Sequence, residues 1–406
     1  MNRVTKVVLT VSLTVISMSI GFIGGFATSR MMPSDPFVSL TADLASPRTA
    51  TADRVDEVYR LMKRRALVIP KETSATAGAV QGLLDSAGDD YAMYLDKTHY
   101  RTFSEDSMGS FGGIGVVLGE KSGTTYVTEV FKGTPAFRVG VLPGDVFVAI
   151  NGDRRTDWQT TEVVKRVRGE VGTKVRITFS RRKKGGSGTR RETEKTFTIT
   201  RASIDYPNLK SEMIGKVGYL RLGQFNANSE GEVRKAVMRL TKKGATSLVL
   251  DLRSNPGGLL DQAVGVSSVF IKDGVIVRVD ERNKPEDELR ASSHKLTNLP
   301  LVVLIDGDSA SASEIVGGAL QDYGRATLVG EKSFGKGSVQ TVEGLTWGGG
   351  IKFTIAHYLT PKKRVIDGKG LTPDVVVKMD RMKQAKRSTD TQLKRALEIA
   401  RKKAAR

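Results

Sequence analysis

The stretch LVVLIDGDSASASEIVGGALQ at residues 301–321 predicts the element on which the fold and its chemistry depend. Its first five residues are apolar, which is typical of a strand buried on both faces of a sheet. A polar turn follows, and the apolar spacing from Ala312 to Gln321 predicts a helix. A serine at this junction would lie over the helix N-terminus, where unpaired N–H groups and the positive end of the helix dipole favour a developing oxyanion.

Three serines, Ser309, Ser311 and Ser313, alternate with alanine at this junction, and Glu314 follows them. Serine at a helix start, with glutamate at the third position after it, is also the ordinary capping pattern. On these residues alone capping is the more frequent role. A nucleophile at this position needs a base from elsewhere in the chain.

Lys336 is the candidate for that base, because it lies between two glycines and is followed by Gln340. Burial near Phe334 and Val339 would lower the pKa of its amine, which a lysine base requires. Gln340 could hold the amine through a hydrogen bond, but residues four apart in a straight strand are separated by about 13 Å. The contact therefore requires a bend, which we predict at Gly337. The alternative is a lysine in a surface loop.

A third element is LVLDLRSNPGG at residues 248–258, a buried strand that runs into a Pro-Gly-Gly turn. Glycine lets a backbone N–H approach a ligand closely, so Gly257 or Gly258 could supply a second oxyanion donor. The spacing does not choose between the two glycines. A tight turn with no further role fits the residues equally well.

The composition limits the chemistry that this chain can perform. Its 406 residues, enough for two or three domains, include three histidines and no cysteine. Cysteine nucleophiles, thiolate metal sites and disulfides are therefore excluded, and serine with lysine is the best-equipped route to covalent catalysis. We expect no metal site and no cofactor. Apolar content of 39% and charged content of 27% describe an ordinary soluble globular protein.

The formal net charge of +20 is concentrated partly at residues 181–191 and in the tail from Lys378 to Arg406. Such clusters could contact nucleic acid or anionic lipid. Nucleic acid is not an expected partner, because no aromatic interleaving or nucleic-acid motif accompanies them. Solvated turns and a charged terminal helix are the simpler interpretation.

The N-terminus resembles an export signal. Arg3 and Lys6 precede residues 7–27, which carry no charge and are long enough to span about 30 Å of hydrocarbon. A small-x-small cleavage site at residues 25–27 keeps a cleaved signal peptide open beside an uncleaved anchor. Either interpretation predicts an extracytoplasmic protein, with the basic residues on the cytoplasmic side.

These pieces in this order resemble the carboxyl-terminal processing peptidases, which are serine peptidases with a Ser/Lys dyad and an inserted PDZ domain. The match begins with DYAMYL at 90–95, GIGV at 113–116, LPGD at 142–145 and ING at 150–152. It continues with DLRSNPGG at 251–258, SASASE at 309–314, GGALQD at 317–322, GKGSVQ at 335–340 and DGKGLTPD at 367–374. Each piece alone is a weak signal, whereas the ordered set is specific.

The resemblance implies an α/β fold of mixed α+β character, with a layered, crotonase-like protease core, an inserted PDZ domain and helical terminal segments. Strands that alternate with helices from about Lys216 independently predict the layered sheet. The expected divisions are an anchor or signal segment (1–30), a linker (31–51), an N-terminal helical segment (52–107), the PDZ domain (108–201), the protease core (202–378) and a basic C-terminal helix (379–406).

The resemblance also implies roles for individual residues. Ser311 would be the nucleophile, Lys336 its base and Gln340 the residue that orients the lysine. The N–H of Ala312, with one from Gly257 or Gly258, would form the oxyanion hole. The turn of Gly113, Ile114, Gly115 and Val116 would bind a substrate's terminal carboxylate, with Ile114 and Val116 flanking an apolar pocket. Arg168 would couple the PDZ domain to the core, although a solvated helix end is an equal alternative.

The implied function is a serine endopeptidase that recognises apolar C-terminal tails of proteins and cleaves the chain through an acyl-enzyme. Protein or peptide substrates and, through the N-terminal segment, the membrane are the expected partners. The terminal helices could mediate a homodimer. Two other classes compete: a membrane-tethered peptide-binding adaptor with an inactive protease fold, and a surface protein whose basic clusters bind lipid or polyanion.

Overall fold

The structure is a computed structural model that describes residues 49–121, 123–184, 190–205, 208–292, 294–379 and 387–405. The predicted anchor and most of the predicted linker lie outside these residues. None of the helices in the described ranges is long and apolar enough to cross a membrane. The chain divides into two units, one up to Ala79 and one from Val80 onwards.

The first unit contains helix α1 (Ala50–Arg65) and the start of helix α2 (Glu72–Asp85). The side chain of Thr49 caps α1 by accepting the Ala52 N–H, and three basic residues in its last turn complement the helix dipole. None of its residues is buried, and its apolar side chains, including Val58 and Leu61, are exposed.

The second unit starts within α2 and continues with strand β1 (Met93–Leu95), helix α3 (Lys97–Met108) and strand β2 (Ser110–Gly113). An inserted β-sheet follows. Its elements are β3 (Val116–Lys121), β4 (Thr124–Val130), α4 (Pro135–Val139), β5 (Val146–Ile150), β6 (Asp153–Arg154), α5 (Thr160–Val167), β7 (Lys174–Lys184) and β8 (Arg190–Thr200). The strand order is β3-β4-β5-β7-β8, with β6 paired to β5.

The insert has its own hydrophobic core, centred on Trp158, Phe147 and Phe179, none of which is more than 1% exposed. Strand β9 (Ala202–Asp205) leaves the insert and pairs antiparallel with β2, so two adjacent strands carry the chain into and out of it. This arrangement is typical of a domain inserted into another one.

The strands of the main sheet and the helices between them are β10 (Leu209–Ile214), β11 (Val217–Leu222), α6 (Ser229–Lys242), β12 (Ser247–Asp251), α7 (Leu260–Ser268), β15 (Leu301–Ile305), α8 (Ala312–Asp322), β16 (Ala326–Gly330) and β19 (Val375–Val376). The strand order in this sheet is β10-β11-β12-β15-β16-β19, and all pairs are parallel except β10 with β11. This is the layered α/β architecture that the alternation of strands and helices predicts.

Alternate residues of each central strand face different cores, as the period of two in a strand requires. Leu248 and Leu250 pack against helices α6, α7 and α8, whereas Val249 between them packs in the opposite cluster. Both faces are covered, and for that reason these strands are continuous apolar runs.

The opposite face is covered by the C-terminal helix α9 (Thr391–Ala404), which the sequence indicated only as a basic terminal helix. Its residues Leu393, Ala396, Leu397 and Ala400 are buried against the sheet. The simpler interpretation of a charged, solvated helix was therefore incomplete: the basic residues form one side, and the apolar side closes the core.

A second, antiparallel sheet carries the other half of the candidate site. It contains β13 (Val275–Glu281), β14 (Asp287–Arg290), β17 (Ser338–Gly344) and β18 (Gly350–Leu359), in the order β1-β18-β13-β14 with β17 on β18. Strands β17 and β18 were not predicted from the sequence. Their residues are mostly half-buried. Strand β17 alternates weakly, whereas β18 carries the apolar–polar alternation of Ile351 to Ile355, a strand signal that the sequence reasoning overlooked.

Candidate active site

Ser311 lies at the junction between the buried strand β15 and helix α8, where it is the N-cap residue of the helix. Its backbone dihedrals, φ 53° and ψ −115°, fall outside the extended region that a cap residue ordinarily adopts. A non-glycine residue with positive φ is strained, and such strain persists where the surrounding structure holds it, often at functional sites. The N-cap position and a strained backbone therefore coincide at this residue.

The other two serines of the run have structural roles. Both are fully buried: the Ser309 hydroxyl donates to the Leu252 carbonyl at 2.8 Å, and the Ser313 hydroxyl donates to the Asn255 carbonyl at 2.9 Å. They fasten the serine turn to the loop after β12. Ser311 is half-buried and lines a cavity, so it is the serine of the run that a substrate can reach.

The Lys336 ammonium group donates to Oε1 of Gln340 at 2.8 Å, which is the predicted contact. Lys336 precedes β17, and the pairing register of β17 with β18 shifts between Val339 and Gln340. This bulge shortens the distance that a straight strand would impose. Gly337, where we expected the bend, instead allows close packing, because a Cβ there would lie 2.5 Å from the Asp367 nitrogen.

Lys336 is half-buried, and burial lowers the pKa of its amine, as does the positive charge of Lys352, while Asp89 raises it. This is the direction that a lysine base requires. Phe334 does not provide the burial, because it is 57% exposed. The aromatic ring against the amine is that of Tyr91, whose centroid lies 4.7 Å from Nζ.

Glu314 ties the serine turn to the lysine loop. Its fully buried carboxylate accepts the N–H groups of Ser311 (2.9 Å), Gly335 (2.8 Å) and Lys336 (2.9 Å), and the Ser333 hydroxyl (2.5 Å). Burial raises the pKa of this carboxyl, while its four hydrogen bonds act in the opposite direction. One side chain thus fixes the main chain of both candidate catalytic residues.

Tyr358 makes a second link between the same two segments. Its buried hydroxyl lies within hydrogen-bonding distance of the carbonyl oxygens of Ser311 (3.1 Å) and Lys336. Ser311 and Lys336 line one cavity of about 250 Å³, with Gln340, Gly258 and Lys352 also in its wall. In this structure the hydrogen bond of Lys336 Nζ goes to Gln340 rather than to Ser311.

The glycine turn after β12 packs directly against the serine turn. A Cβ on Gly257 would lie 2.8 Å from the Ser311 Cβ. The Gly257 N–H donates to Oδ1 of Asn255 at 2.9 Å, whereas the N–H groups of Gly258 and Ala312 have no acceptor within the described part of the chain. Gly258 also lines the cavity, and Gly257 does not. The geometry therefore favours Gly258 with Ala312 as the pair of oxyanion donors.

The turn at residues 113–116 borders a second cavity, of about 420 Å³, in the insert. Gly115 has a φ of 84°, and in the described residues the N–H groups of Ile114 and Gly115 have no acceptor. The Ile114 side chain belongs to the core of the insert. Ile114 also lines the cavity, and Val116, Leu118, Phe131, Val164 and Val167 form the rest of its apolar wall.

Arg168 is the C-cap residue of α5 and also lines this second cavity. Its guanidinium stacks over the Phe111 ring at 4.2 Å, and a nitrogen of the same group lies 3.7 Å from the Glu105 carboxylate on α3. Its side chain is 29% exposed, so it is not a fully solvated helix end. It touches the segment that joins the insert to the rest of the unit.

Sequence reasoning missed several residues that contact Ser311 or Lys336 or line the cavity they share. Tyr91 and Lys352 are distant from the serine run in sequence, and Tyr358 lies in a strand that was not predicted. Glu314 was noted only as a helix cap. The Glu at the third position after Ser311 was the one available signal, because a capping carboxylate must lie near the turn it caps.

Comparison with known proteins agrees with this description. The model for peptidase family S41 matches residues 216–377, and a PDZ domain model matches residues 126–181. A probable CtpA-like serine protease of Staphylococcus aureus (strain bovine RF122 / ET3-1) is 35% identical over 331 residues, which are 81% of this chain and 65% of that protein. The corresponding protein of Staphylococcus saprophyticus is 34% identical over 337 residues, 82% of this chain and 67% of the relative.

Among solved structures, the photosystem II D1 C-terminal processing protease is 26% identical, with a TM-score of 0.48 over 82% of this chain and 94% of that one. The insert is a PDZ domain, and the chain belongs to peptidase family S41, the family of CtpA-like C-terminal processing peptidases. The resemblance drawn from the sequence is thereby confirmed. The chain spans about two thirds of the length of the first of these relatives.

Proposed function

We propose that this protein is a serine endopeptidase that captures proteins by apolar C-terminal tails and cleaves them with a Ser311–Lys336 dyad. The carrying observation is Ser311 itself: a strained, accessible serine at a helix N-terminus that shares one cavity with a half-buried lysine held by Gln340. Membership of a peptidase family supports the reaction class.

In the proposed mechanism, neutral Lys336 removes the proton of Ser311 as the serine oxygen attacks the scissile carbonyl. The resulting oxyanion is held by the N–H groups of Ala312 and Gly258, which have no acceptor among the described residues. Lys336 then donates its proton to the leaving amine as the peptide C–N bond breaks, which leaves an acyl-enzyme ester on Ser311. Water hydrolyses this ester and releases the serine. Gln340 keeps the amine oriented, and its own amide donates to the Ser338 hydroxyl at 3.0 Å.

The PDZ domain would bind the tail. The N–H groups of Ile114 and Gly115, for which the described part of the chain offers no acceptor, suit a terminal carboxylate. The apolar wall around Val164 and Val167 suits an aliphatic terminal side chain. Arg168 would transmit occupancy of this cavity towards the protease core, because it touches both the cavity and Glu105 on α3.

We further propose that the protein acts outside the cytoplasm, held at the membrane by residues 7–27 or exported with their removal, since these residues carry no charge and follow Arg3 and Lys6. A homodimer through the terminal helices is the proposed assembly. The exposed apolar side chains of α1, such as Val58 and Leu61, support it.

The test is to incubate the full chain with a model protein that ends in Leu-Ala-Ala and to monitor cleavage by intact-mass spectrometry. Ser311→Ala and Lys336→Ala are expected to abolish cleavage. Lys332→Ala, an exposed lysine four residues before the base, is the matched control and is expected to retain it. Undiminished cleavage by Ser311→Ala would refute the mechanism, and tail binding without any cleavage by the wild type would favour an adaptor.

A further inference from the structure

The ring of Tyr91 covers the amine of Lys336, with its centroid 4.7 Å from Nζ. This distance places the ammonium within the range of a cation–π interaction. Tyr91 belongs to the segment between α2 and β1, outside residues 216–377 that match the peptidase model. The contact is therefore made by a part of the chain that precedes the PDZ domain.

The segment that carries Tyr91 is fastened to the strand beside the active-site cavity. The Asp89 carboxylate accepts the N–H of Thr354 on β18 at 2.7 Å and its hydroxyl at 3.0 Å. The same carboxylate accepts the N–H of Tyr91 at 3.0 Å. Strand β1 then pairs with β18, with Met93 opposite Lys352. These bonds on both sides of the residue hold the ring in place.

The proposed reaction creates a positive charge at Lys336, because the amine takes up the serine proton. In the Ser-His-Asp triad a buried carboxylate stabilises the corresponding imidazolium. Here the hydrogen-bond acceptor of Nζ is the uncharged amide oxygen of Gln340. The described residues place no carboxylate in hydrogen-bonding contact with Nζ, so the charge needs another source of stabilisation.

An aromatic face fits that need better than a carboxylate would. A neighbouring carboxylate raises the pKa of a cationic group strongly and would keep the lysine protonated before the reaction. The π-face attracts the ammonium more weakly, so it stabilises the charge as it forms while leaving a neutral resting amine accessible. A lysine base requires this balance, because both of its protonation states occur in the cycle.

The charged groups around Lys336 are few. Lys352 on β18 lowers the pKa of its amine and Asp89 raises it. Glu314 on α8 and Tyr358 on β18 contact its main chain, at the N–H and the carbonyl oxygen respectively. Asp367 accepts the N–H of the next residue, Gly337. These groups act on the main chain of Lys336 and Gly337 or on the charge of the Lys336 amine, whereas the face of the Tyr91 ring lies over the amine itself.

We propose that Tyr91 is a positioning residue of the catalytic base, whose ring holds the Lys336 amine in the cavity and stabilises the ammonium formed when the lysine takes the serine proton. This inference rests on the proposed Ser311–Lys336 mechanism. It assigns to the segment before the PDZ domain a direct role in the catalytic centre.

The experiment compares two variants. Tyr91→Phe keeps the aromatic face, whereas Tyr91→Leu keeps an apolar side chain over the amine but removes the aromatic face. The dependence of kcat/KM on pH is measured with the full chain and a peptide substrate. Tyr91→Phe is expected to match the wild type. Tyr91→Leu is expected to lower kcat several-fold with KM unchanged, and to move the acidic limb of the profile down by about half a pH unit. Tyr94→Leu, another half-buried tyrosine of the same segment, is the matched control for folding.

A readout independent of peptidase activity separates this inference from the proposed function. The rate of Lys336 acetylation by acetic anhydride, followed by mass spectrometry over a range of pH, gives the pKa of the amine directly. A lower pKa in Tyr91→Leu, with Tyr91→Phe restored to the wild-type value, supports the contact even if no substrate is cleaved. Equal pKa values in the Phe and Leu variants, or equal kcat in an active enzyme, would overturn the inference. Tyr91→Met serves as the second face-removing variant if Tyr91→Leu does not fold.

Discussion

The carboxylate of Glu314 offers the sharpest test of how the two halves of the active site are joined. Its oxygen Oε1 accepts the Ser333 hydroxyl and the Gly335 N–H, and Oε2 accepts the N–H groups of Ser311 and Lys336. The substitution Glu314→Gln keeps the shape but replaces one oxygen by an NH2 group. At the Oε2 position that group would meet two backbone donors, neither of which can turn away.

The amide is therefore expected to direct its NH2 towards Ser333, whose hydroxyl can rotate to accept it. The Gly335 N–H then loses its acceptor in a fully buried site, and the remaining bonds lose their charge. One unsatisfied buried donor costs about 1–3 kcal/mol, and each charge-assisted bond that becomes neutral loses about 1 kcal/mol. The Gly335 donor and the two N–H bonds of Ser311 and Lys336 that become neutral together predict a loss of about 3–5 kcal/mol in the free energy of unfolding.

Urea denaturation followed by far-UV circular dichroism measures this loss, and amide hydrogen exchange of helix α8 localises it to the protease core. Glu129→Gln, at an exposed position of β4, is the control and should change stability by less than about 0.5 kcal/mol. We also expect kcat/KM to fall, because Gly335 directly precedes Lys336, the proposed base. An unchanged stability in Glu314→Gln would refute the reasoning, since it would show that the carboxyl is already neutral in the folded protein.

Three further outcomes follow from the same geometry. Lys352→Gln removes a like charge that lowers the pKa of Lys336, so the pKa of Lys336 should rise. Because the proposed mechanism needs the neutral amine, the rising limb of kcat/KM should move to higher pH, and a limb at the wild-type pH would contradict this. Asp390→Asn removes one of the carboxylates bound to the buried Arg253, at 2.9 Å, and is expected to lower the free energy of unfolding by about 3 kcal/mol. Amide hydrogen exchange in α9 should become faster, and exchange at the wild-type rate would argue against the ion pair. Gly257→Ala places a methyl group 2.8 Å from the Ser311 Cβ and should reduce kcat about 100-fold. Tail binding to the PDZ domain should remain intact. A near-normal kcat would show that the glycine turn is not packed as described.

Local sequence signals predicted the strand–turn–helix around Ser311 closely. Strand β15 and helix α8 were expected at 301–305 and 312–321, and they occupy Leu301–Ile305 and Ala312–Asp322. A continuous apolar run and a well-spaced helix face are strong patterns because both sides of the sheet are covered. The family and its α/β fold were recognisable for a related reason: the motifs lie at turns where glycine and proline are required by the backbone.

The contact between Lys336 and Gln340 was anticipated, but its cause was not. The bulge between Val339 and Gln340 depends on the pairing register with β18, which no local pattern around Lys336 encodes. Among the three serines the family resemblance already pointed to Ser311. The structure adds that Ser309 and Ser313 are buried and fasten the turn to the loop after β12.

The sequence by itself determined the secondary structure of the core, the reaction class that its residues can support and the candidate nucleophile and base. The tertiary structure alone decided what surrounds them: the Tyr91 ring over the amine, the Lys352 charge in the cavity wall and the apolar face of α9 against the sheet. The physical reason is the distance along the chain over which each effect acts. Hydrophobic periodicity and turn chemistry act between near neighbours in the chain, whereas the environment that adjusts the pKa of a lysine comes from residues far away in sequence that only folding brings within a few ångströms.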